Sequence, residues 1–482
     1  MASNSFKTDS FISYELAEWC CGLTFEDLSS EAIQSAKLFW YDSLGCALGG
    51  TRQKDAKILR QQHEAMAAAS GASGGSCTLF GGGTANPVDA AFLNSHMVRA
   101  MDFNDIYWKA DPCHPSDMIC GPLAICEHLG LSGRDLLLGT AIAYEVEMRL
   151  CEVGRPGVRE YGWHHATLTA FASPFAPARL LGLSVEEMVQ SIGISASRGC
   201  SLGAVTAGKL TNMKNTVDPW ATRLGVESAL LAQLGYSGPE HIFDGKEGLF
   251  HVFGHSMCHG EQCGFDAEEL VKDLPRSSGD RFRINECGMK SFPIEALSHA
   301  PLSAMMKIIK THDVAPADVR EITVEVIARA ADILGDPAKY RPTGKETTDH
   351  SLPYSLAVGL MDGMVTPLQF KQERIDDPAL IPVMDMVKVV ANEEFEARFP
   401  EYQPSRVTLT LADGSTHTDQ VDVPKGDPRD PMTEAEISVK FDALSTEIVG
   451  SEGCGRIRDL VMSLDTADSV NPLMEAMAAT VS

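Results

Sequence analysis

Apolar residues recur at i, i+3 and i+4 through most of the first 280 positions, the spacing that puts one face of a helix against a core. This spacing predicts helices over 14–21, 30–48, 56–69, 87–100, 118–129, 135–150 and 184–198, and another ending at Leu234. Residues 168–181 read as helix too, with Pro174 and Pro177 placed to kink or restart it, because proline brings no amide hydrogen to the ladder. The pattern changes near Arg281. Residues 319–327 alternate with a period of two, as a half-buried strand does. Residues 406–411 and 416–423 flank Asp413-Gly414 and predict a β-hairpin. Helices are expected at 296–310, 349–361 and 383–391, the last with Pro382 at its start. Beyond residue 432 the helical spacing returns, opened by the capping-box pair Thr433 and Glu436. No repeat of 20–50 residues is present.

These elements imply a mainly α fold. A large all-helical domain (1–280 plus 425–482) is interrupted by a smaller α+β lid domain (281–424). Clefts between such units are preferred places for small-molecule sites.

Composition narrows the function. With 44% hydrophobic and 22% charged residues, the chain has the material for a large core. Its net charge of −26 argues against nucleic acid and anionic membranes as partners, since both need positive patches. An anionic substrate would need local Lys, Arg or His working against that field. The 13 cysteines are scattered and odd in number, and read as reduced thiols. No run reaches the roughly 18 apolar residues of a membrane helix. The first residues show no signal-peptide pattern, so a cytoplasmic location is expected, with a mitochondrial one as the alternative. The glycine-rich stretch 70–84 lacks the G-K-[ST] ending of a phosphate loop and reads as turns. His251, His255, Cys258 and His259 are metal-ligating types, which leaves open a non-catalytic metal-binding or scaffold protein. Gly254 interrupts any helix there and the spacing fits no standard zinc pattern.

A polar stretch, 101–116, is held between two helical runs. It contains Asp102, Asp105, Trp108, Lys109, Asp111 and His114. Either it is a solvated loop or it is a site held by rigid elements. His164 and His165 fall at a helix start, where a histidine's pKa is lowered. Lys214 sits among Met213, Val217 and Trp220, either snorkelling or as a buried cation awaiting a carboxylate. Asp42, among Phe39, Trp40, Tyr41 and Leu44, reads as a buried structural carboxylate. Together with Lys290 and Glu295, these acids, histidines and lysines can bind carboxylates and move protons. That suits elimination, isomerisation or decarboxylation of a polycarboxylic acid.

Several motifs carry a resemblance. They are 36–50 with Asp42-Ser-Leu-Gly, Met101-Asp-Phe-Asn-Asp105, His114-Pro-Ser116, Gly162-Trp-His164, Met213-Lys214, Lys290-Ser-Phe-Pro293 and Asp349-His-Ser-Leu-Pro-Tyr354. In this order the chain resembles the MmgE/PrpD family, which contains 2-methylcitrate dehydratase, cis-aconitate decarboxylase and iminodisuccinate epimerase. The resemblance implies a helical domain with an α+β lid, a homodimer, and no metal or organic cofactor. Residue by residue it implies that Asp102, His114 and His164 are catalytic and that Lys214 and Lys290 bind substrate, and Glu295 is expected beside them as a substrate-binding residue. Glu295 stands where animal decarboxylases have histidine, and Ile106 where they have threonine. Their active-site tyrosine falls at Ala331 or a neighbour here. These departures point to the dehydratase-like branch. The expectation is a cofactor-free hydro-lyase acting on a 2-methylcitrate-like tricarboxylic acid, with decarboxylation of a cis-aconitate-like acid or dicarboxylate epimerisation as alternatives. His164 is expected as the base and His114 as the acid.

Overall fold

The helical spacing of the first half of the chain folds as ten helices. They are α1 (Ile12–Gly22), α2 (Ser30–Gly50), α3 (Lys54–Ser70), α4 (Pro87–Arg99), α5 (Cys120–Leu129), α6 (Gly133–Glu152), α7 (Ala166–Ala172), α8 (Phe175–Leu180), α9 (Val185–Ala196) and α10 (Val217–Gln233). The computed structural model describes residues 11–71, 74–253 and 264–479. Local chemistry sets several starts: Ser29 and Asn86 cap α2 and α4, and Ser132/Asp135 and Ser184/Glu187 form capping boxes on α6 and α9. The predicted helix at 168–181 is split by Ser173 and Pro174 into α7 and α8.

Short strands are threaded between the helices. β1 (Cys77–Thr78) pairs with β2 (Thr84–Ala85) across the glycine-rich turn. β3 (Asp105–Trp108) lies between β4 (Pro112–Cys113) and a later strand, while β5 (Gly154–Arg155) pairs with β6 (Gly264–Phe265). That later strand is β7 (Gly288–Met289), so β3 joins the two halves of the chain. The stretch 101–116 is therefore a buried hairpin and not a solvated loop.

The second half builds a four-stranded sheet from β8 (Val319–Val326), β9 (Val387–Ala391), β10 (Ser405–Leu411) and β11 (Thr416–Val421), in the order β11-β10-β8-β9. β9 corrects the helix expected at 383–391. A five-residue helix, Ile381–Asp385, ends before it, and Val387 to Ala391 then pairs in parallel with Ile322 to Val326. Three valines in five positions favour the strand, and the free edge of β8 supplies the ladder. The helix His299–His312 packs on β10 and β11, with Leu352–Asp362 against it.

The two largest apolar cores fit a mainly α, two-domain chain, with two smaller clusters around Phe92 and around Met101. One large core runs from Ile12 to Met289 and takes in Ile437 to Met477; the other holds 294–409 plus Trp108. We propose 1–280 plus 425–482 and 281–424 as the two domains, with Phe282 to Met289 of the second packing into the first core. The long last helix, Glu434–Met462, opens with the expected Thr433/Glu436 box and packs along α2, where Phe441 stacks on Tyr41. A Cβ on Gly45 would lie 2.9 Å from the Phe441 ring, so this close approach needs glycine. The eleven described cysteines are all free, and no described helix is long and apolar enough to cross a membrane.

Next to that contact Lys440 meets the buried Asp42 carboxylate at 2.6 Å. Its ammonium also donates to the carbonyls of Phe103 (2.6 Å) and Lys290 (3.0 Å). Lys440→Met leaves Asp42 unpaired in the core and is expected to cost about 3–5 kcal/mol in urea unfolding. A loss under about 1 kcal/mol would show that Asp42 is not held by this pair.

Candidate active site

α4 ends at Arg99, and the chain turns sharply at Asp102, whose φ of +52° lies in the left-handed region that side chains other than glycine rarely adopt. The Asp102 amide donates to the Arg99 carbonyl at 3.0 Å, which fixes the turn. The carboxylate then points into a nest of cations. Oδ1 pairs with Arg99, with Lys290 Nζ at 2.9 Å and with Lys214 Nζ at 3.3 Å. Burial would raise the Asp102 pKa, but Lys214, Lys290 and Arg99 outweigh it and hold the group well below the usual carboxylate range. Lys214 also has Asp349 at 3.8 Å, and Lys345 pairs with Asp349 at 3.0 Å. Lys214 makes no well-aligned hydrogen bond to either acid. Burial brings its pKa down to about 8 against the pull of Asp102 and Asp349. Lys214 is thus the buried cation and not a snorkelling one.

The hairpin after Asp102 is pinned from below. The Asp105 carboxylate accepts from Ser116 N (3.0 Å), Ser116 Oγ (2.6 Å) and the Tyr144 hydroxyl (2.7 Å), and burial raises its pKa to about 6. Asp111 accepts from the amides of Val158 (2.8 Å) and Arg159 (3.2 Å). Both acids hold backbone, and among the residues lining the cleft neither appears.

The two histidines differ in a way the sequence conceals. His114 Nδ1 lies 2.7 Å from the Asp105 carbonyl, which can only accept, so that nitrogen carries the proton and Nε2 offers a lone pair. His164 Nδ1 instead accepts the Ala166 amide at 3.1 Å, so the neutral ring carries its proton on Nε2. Burial pushes both pKa values well below the ordinary range, with Arg99, Lys290 and His165 adding to it at His114 and His165 first at His164. Both rings are neutral at pH 7. His165 stands behind them, with Nε2 at 3.4 Å from Asp218.

From the other half of the chain come Lys290, just after β7, and Glu295, whose amide donates to the Asp349 carbonyl at 2.9 Å. Burial lifts the Glu295 carboxyl to about 7, against the lowering effect of Lys290. His350 bonds Asp349 at 2.6 Å, and its own pKa is lowered to about 4 by burial and Lys214.

Asp102, His114, His164, Lys214, Lys290 and Glu295 all line one cleft of about 50 Å³, with Arg99, Arg159, His165, Ile333 and His350. Ile333, rather than Ala331, faces it from beyond β8. A larger cavity of about 300 Å³ lies along the seam and shares Trp108 and Lys290, but Asp102, His114 and His164 are not in it. Its charges are mostly self-paired, as in Arg429 with Asp427 and Lys425 with Asp430. We therefore assign the chemistry to the smaller cleft. Asp102, Asp349 and His350 are close enough to hold a metal ion, as are His164, His165 and Asp218. The first group is already surrounded by Arg99, Lys214, Lys290 and Lys345, which disfavour a cation. His255, Cys258 and His259 lie outside the described residues.

Comparison with known proteins agrees with this architecture. The MmgE/PrpD N-terminal domain matches residues 14–259, and the MmgE/PrpD C-terminal domain matches residues 292–466. The chain belongs to the MmgE/PrpD family. It is 25% identical to a cis-aconitate decarboxylase of Aspergillus terreus over 98% of this chain and 96% of that protein. It is 27% identical to a cis-aconitate decarboxylase of Mus musculus over 92% and 87% of the two chains. It is also 27% identical to a mitochondrial 2-methylcitrate dehydratase of Yarrowia lipolytica, over 82% and 76%. MmgE/PrpD relatives of this chain are thus enzymes of more than one reaction type.

The sequence pattern does not single out Arg99, Arg159, Lys345 or Lys440; Asp349 and His350 lie within the motif Asp349-His-Ser-Leu-Pro-Tyr354. The tautomers are directly measurable. In ¹⁵N spectra of histidine-labelled protein at pH 7, assigned with His114→Gln and His164→Gln, His114 should be protonated on Nδ1 and His164 on Nε2. The same tautomer at both would refute the difference.

Proposed function

We propose that this MmgE/PrpD protein is a lyase that dehydrates a 2-methylcitrate-like tricarboxylic acid by general acid/base catalysis, without a metal or organic cofactor. The observation that carries this reading is one cleft holding an imidazole lone pair at His114, a carboxyl with a pKa near 7 at Glu295, and the buried cations Lys214 and Lys290. Each step then has a group. Lys214 and Lys290 pair with substrate carboxylates. His114 Nε2 removes the proton alpha to one of them, and the C–H electrons move into the carboxylate. The lysines and the His164 Nε2–H stabilise the charge that develops there. The electron pair then returns to form the carbon–carbon double bond as the carbon–oxygen bond to the departing hydroxyl breaks and Glu295 gives that oxygen its proton, leaving an alkene, water, protonated His114 and ionised Glu295.

Asp102 is a poor base, since its conjugate acid is so strong; its work is to fix the lysines. The roles expected of the histidines are reversed, with His114 as base. Glu295 moves from substrate binding to the acid. A cleft of about 50 Å³ has room for one or two waters, so the proposed lid must withdraw Glu295, Ile333 and His350 to admit substrate.

Decarboxylation is the second reading. It is favoured by the near-complete span of the alignment with the Aspergillus terreus protein named cis-aconitate decarboxylase. Product analysis on a panel of tricarboxylates separates the two: loss of water supports the first, carbon dioxide release the second. Epimerisation would show as inversion with solvent deuterium uptake. Turnover of no citrate or aconitate homologue would contradict both.

His114→Ala is expected to lower kcat by about 10²- to 10⁴-fold. A proton donor titrating near 7 is effective only below that pH. Activity should therefore fall as pH rises through about 7, and Glu295→Gln should abolish that limb along with most turnover. A variant retaining both the limb and the rate would remove Glu295 from the acid role. Activity should survive exhaustive EDTA treatment; loss restored by a divalent metal would overturn the cofactor-free reading.

A further inference from the structure

We propose that Arg159 selects tricarboxylates by clamping the substrate carboxylate that the lysines leave unpaired, an inference that rests on the carboxylate-binding cleft above. Arg159 lies in the turn Val158–Tyr161 and lines the cleft together with His114, Lys214, Lys290 and Glu295. Its backbone is firmly placed. The buried Asp111 carboxylate accepts from both the Val158 and Arg159 amides. Its guanidinium carbon sits 5.8 Å from the centre of the Trp108 ring, which supports the planar group from one side.

What the guanidinium lacks is a committed anion. Among the described residues it makes no ion pair and its side chain makes no hydrogen bond. The acids near it are otherwise engaged: Asp111 by backbone amides, Glu160 by Arg329, and Glu295 by the Leu297 amide, which donates to its carboxylate at 2.7 Å. By contrast Lys214 and Lys290 share the fixed charge of Asp102. A partly buried arginine with no ion-pair partner among the described residues, at the wall of a cleft, is poised for a charge that arrives with the ligand. Its planar fork takes a carboxylate through two parallel hydrogen bonds, which a lysine cannot reproduce. A dicarboxylate satisfied by the two lysines gains nothing from it; a third carboxylate does.

The test is calorimetric binding of tricarballylate and of glutarate, which has the same carbon chain without the middle carboxylate. The wild type should bind tricarballylate more tightly. Arg159→Gln should weaken tricarballylate by roughly 10- to 100-fold, the scale of a charged hydrogen-bonded contact, and change glutarate by less than about 3-fold. Arg159→Lys should fall between. Urea unfolding like that of the wild type separates loss of the clamp from loss of the fold. Equal weakening of both probes, or of neither, by either variant would overturn the role of Arg159 while leaving the cleft intact. A wild type that binds neither probe would instead remove the carboxylate-binding reading itself, and this proposal with it.

Discussion

The structure around the cleft depends on one buried negative charge. The Asp102 carboxylate, 1% exposed, is shared by Arg99 from the end of α4, Lys214 ahead of α10 and Lys290 beyond β7. Each ammonium would lose several kcal/mol of hydration in such a place without an anion beside it. Three segments far apart in sequence are therefore held at one point by charge. The left-handed backbone at Asp102 is the cost, of about 1–3 kcal/mol, of turning the carboxylate into the nest. Lys440 braces the arrangement from beneath, by donating to the carbonyls of Phe103 and Lys290.

The same arrangement explains how a chain of net charge −26 can receive an anion. Arg99, Lys214, Lys290 and Lys345 converge on Asp102 and Asp349, and Arg159 adds another cation at the wall. The excess is local and positive, among buried side chains where screening by water and salt is weak. In the proposed mechanism, proton transfer within the cleft is apportioned by hydrogen bonds behind the reacting groups. A carbonyl behind His114 and an amide behind His164 give two chemically identical side chains opposite tautomers.

Much of this was legible in the sequence. The helical spacing located α1 to α10, and the pair Thr433 and Glu436 marked the start of the last long helix. Asp42 was recognisable as a buried charge because apolar neighbours surround it, whereas for Lys214 the same kind of neighbours left both snorkelling and burial open. Motif order named six residues that line one cleft. The rest depended on partners that no local pattern encodes. Residues 387–391 are a strand because β8 offers an edge 61 or more residues earlier in the chain, although the segment by itself reads as helix. The roles of His114 and His164 hang on a carbonyl and an amide, which every residue possesses. Arg159 gives no signal in the sequence; its interest lies in having no ion-pair partner among the described residues once the chain has folded.

The most direct measurement is a crystal structure with tricarballylate bound. Its carboxylates should lie within hydrogen-bond reach of Lys214 and Lys290, with a ligand carbon facing His114 Nε2 and Asp102 still paired to both lysines. Ligand found only in the larger cavity along the seam, beside His299 and Arg429, with the cleft at His114 unchanged, would contradict the assignment of the active site.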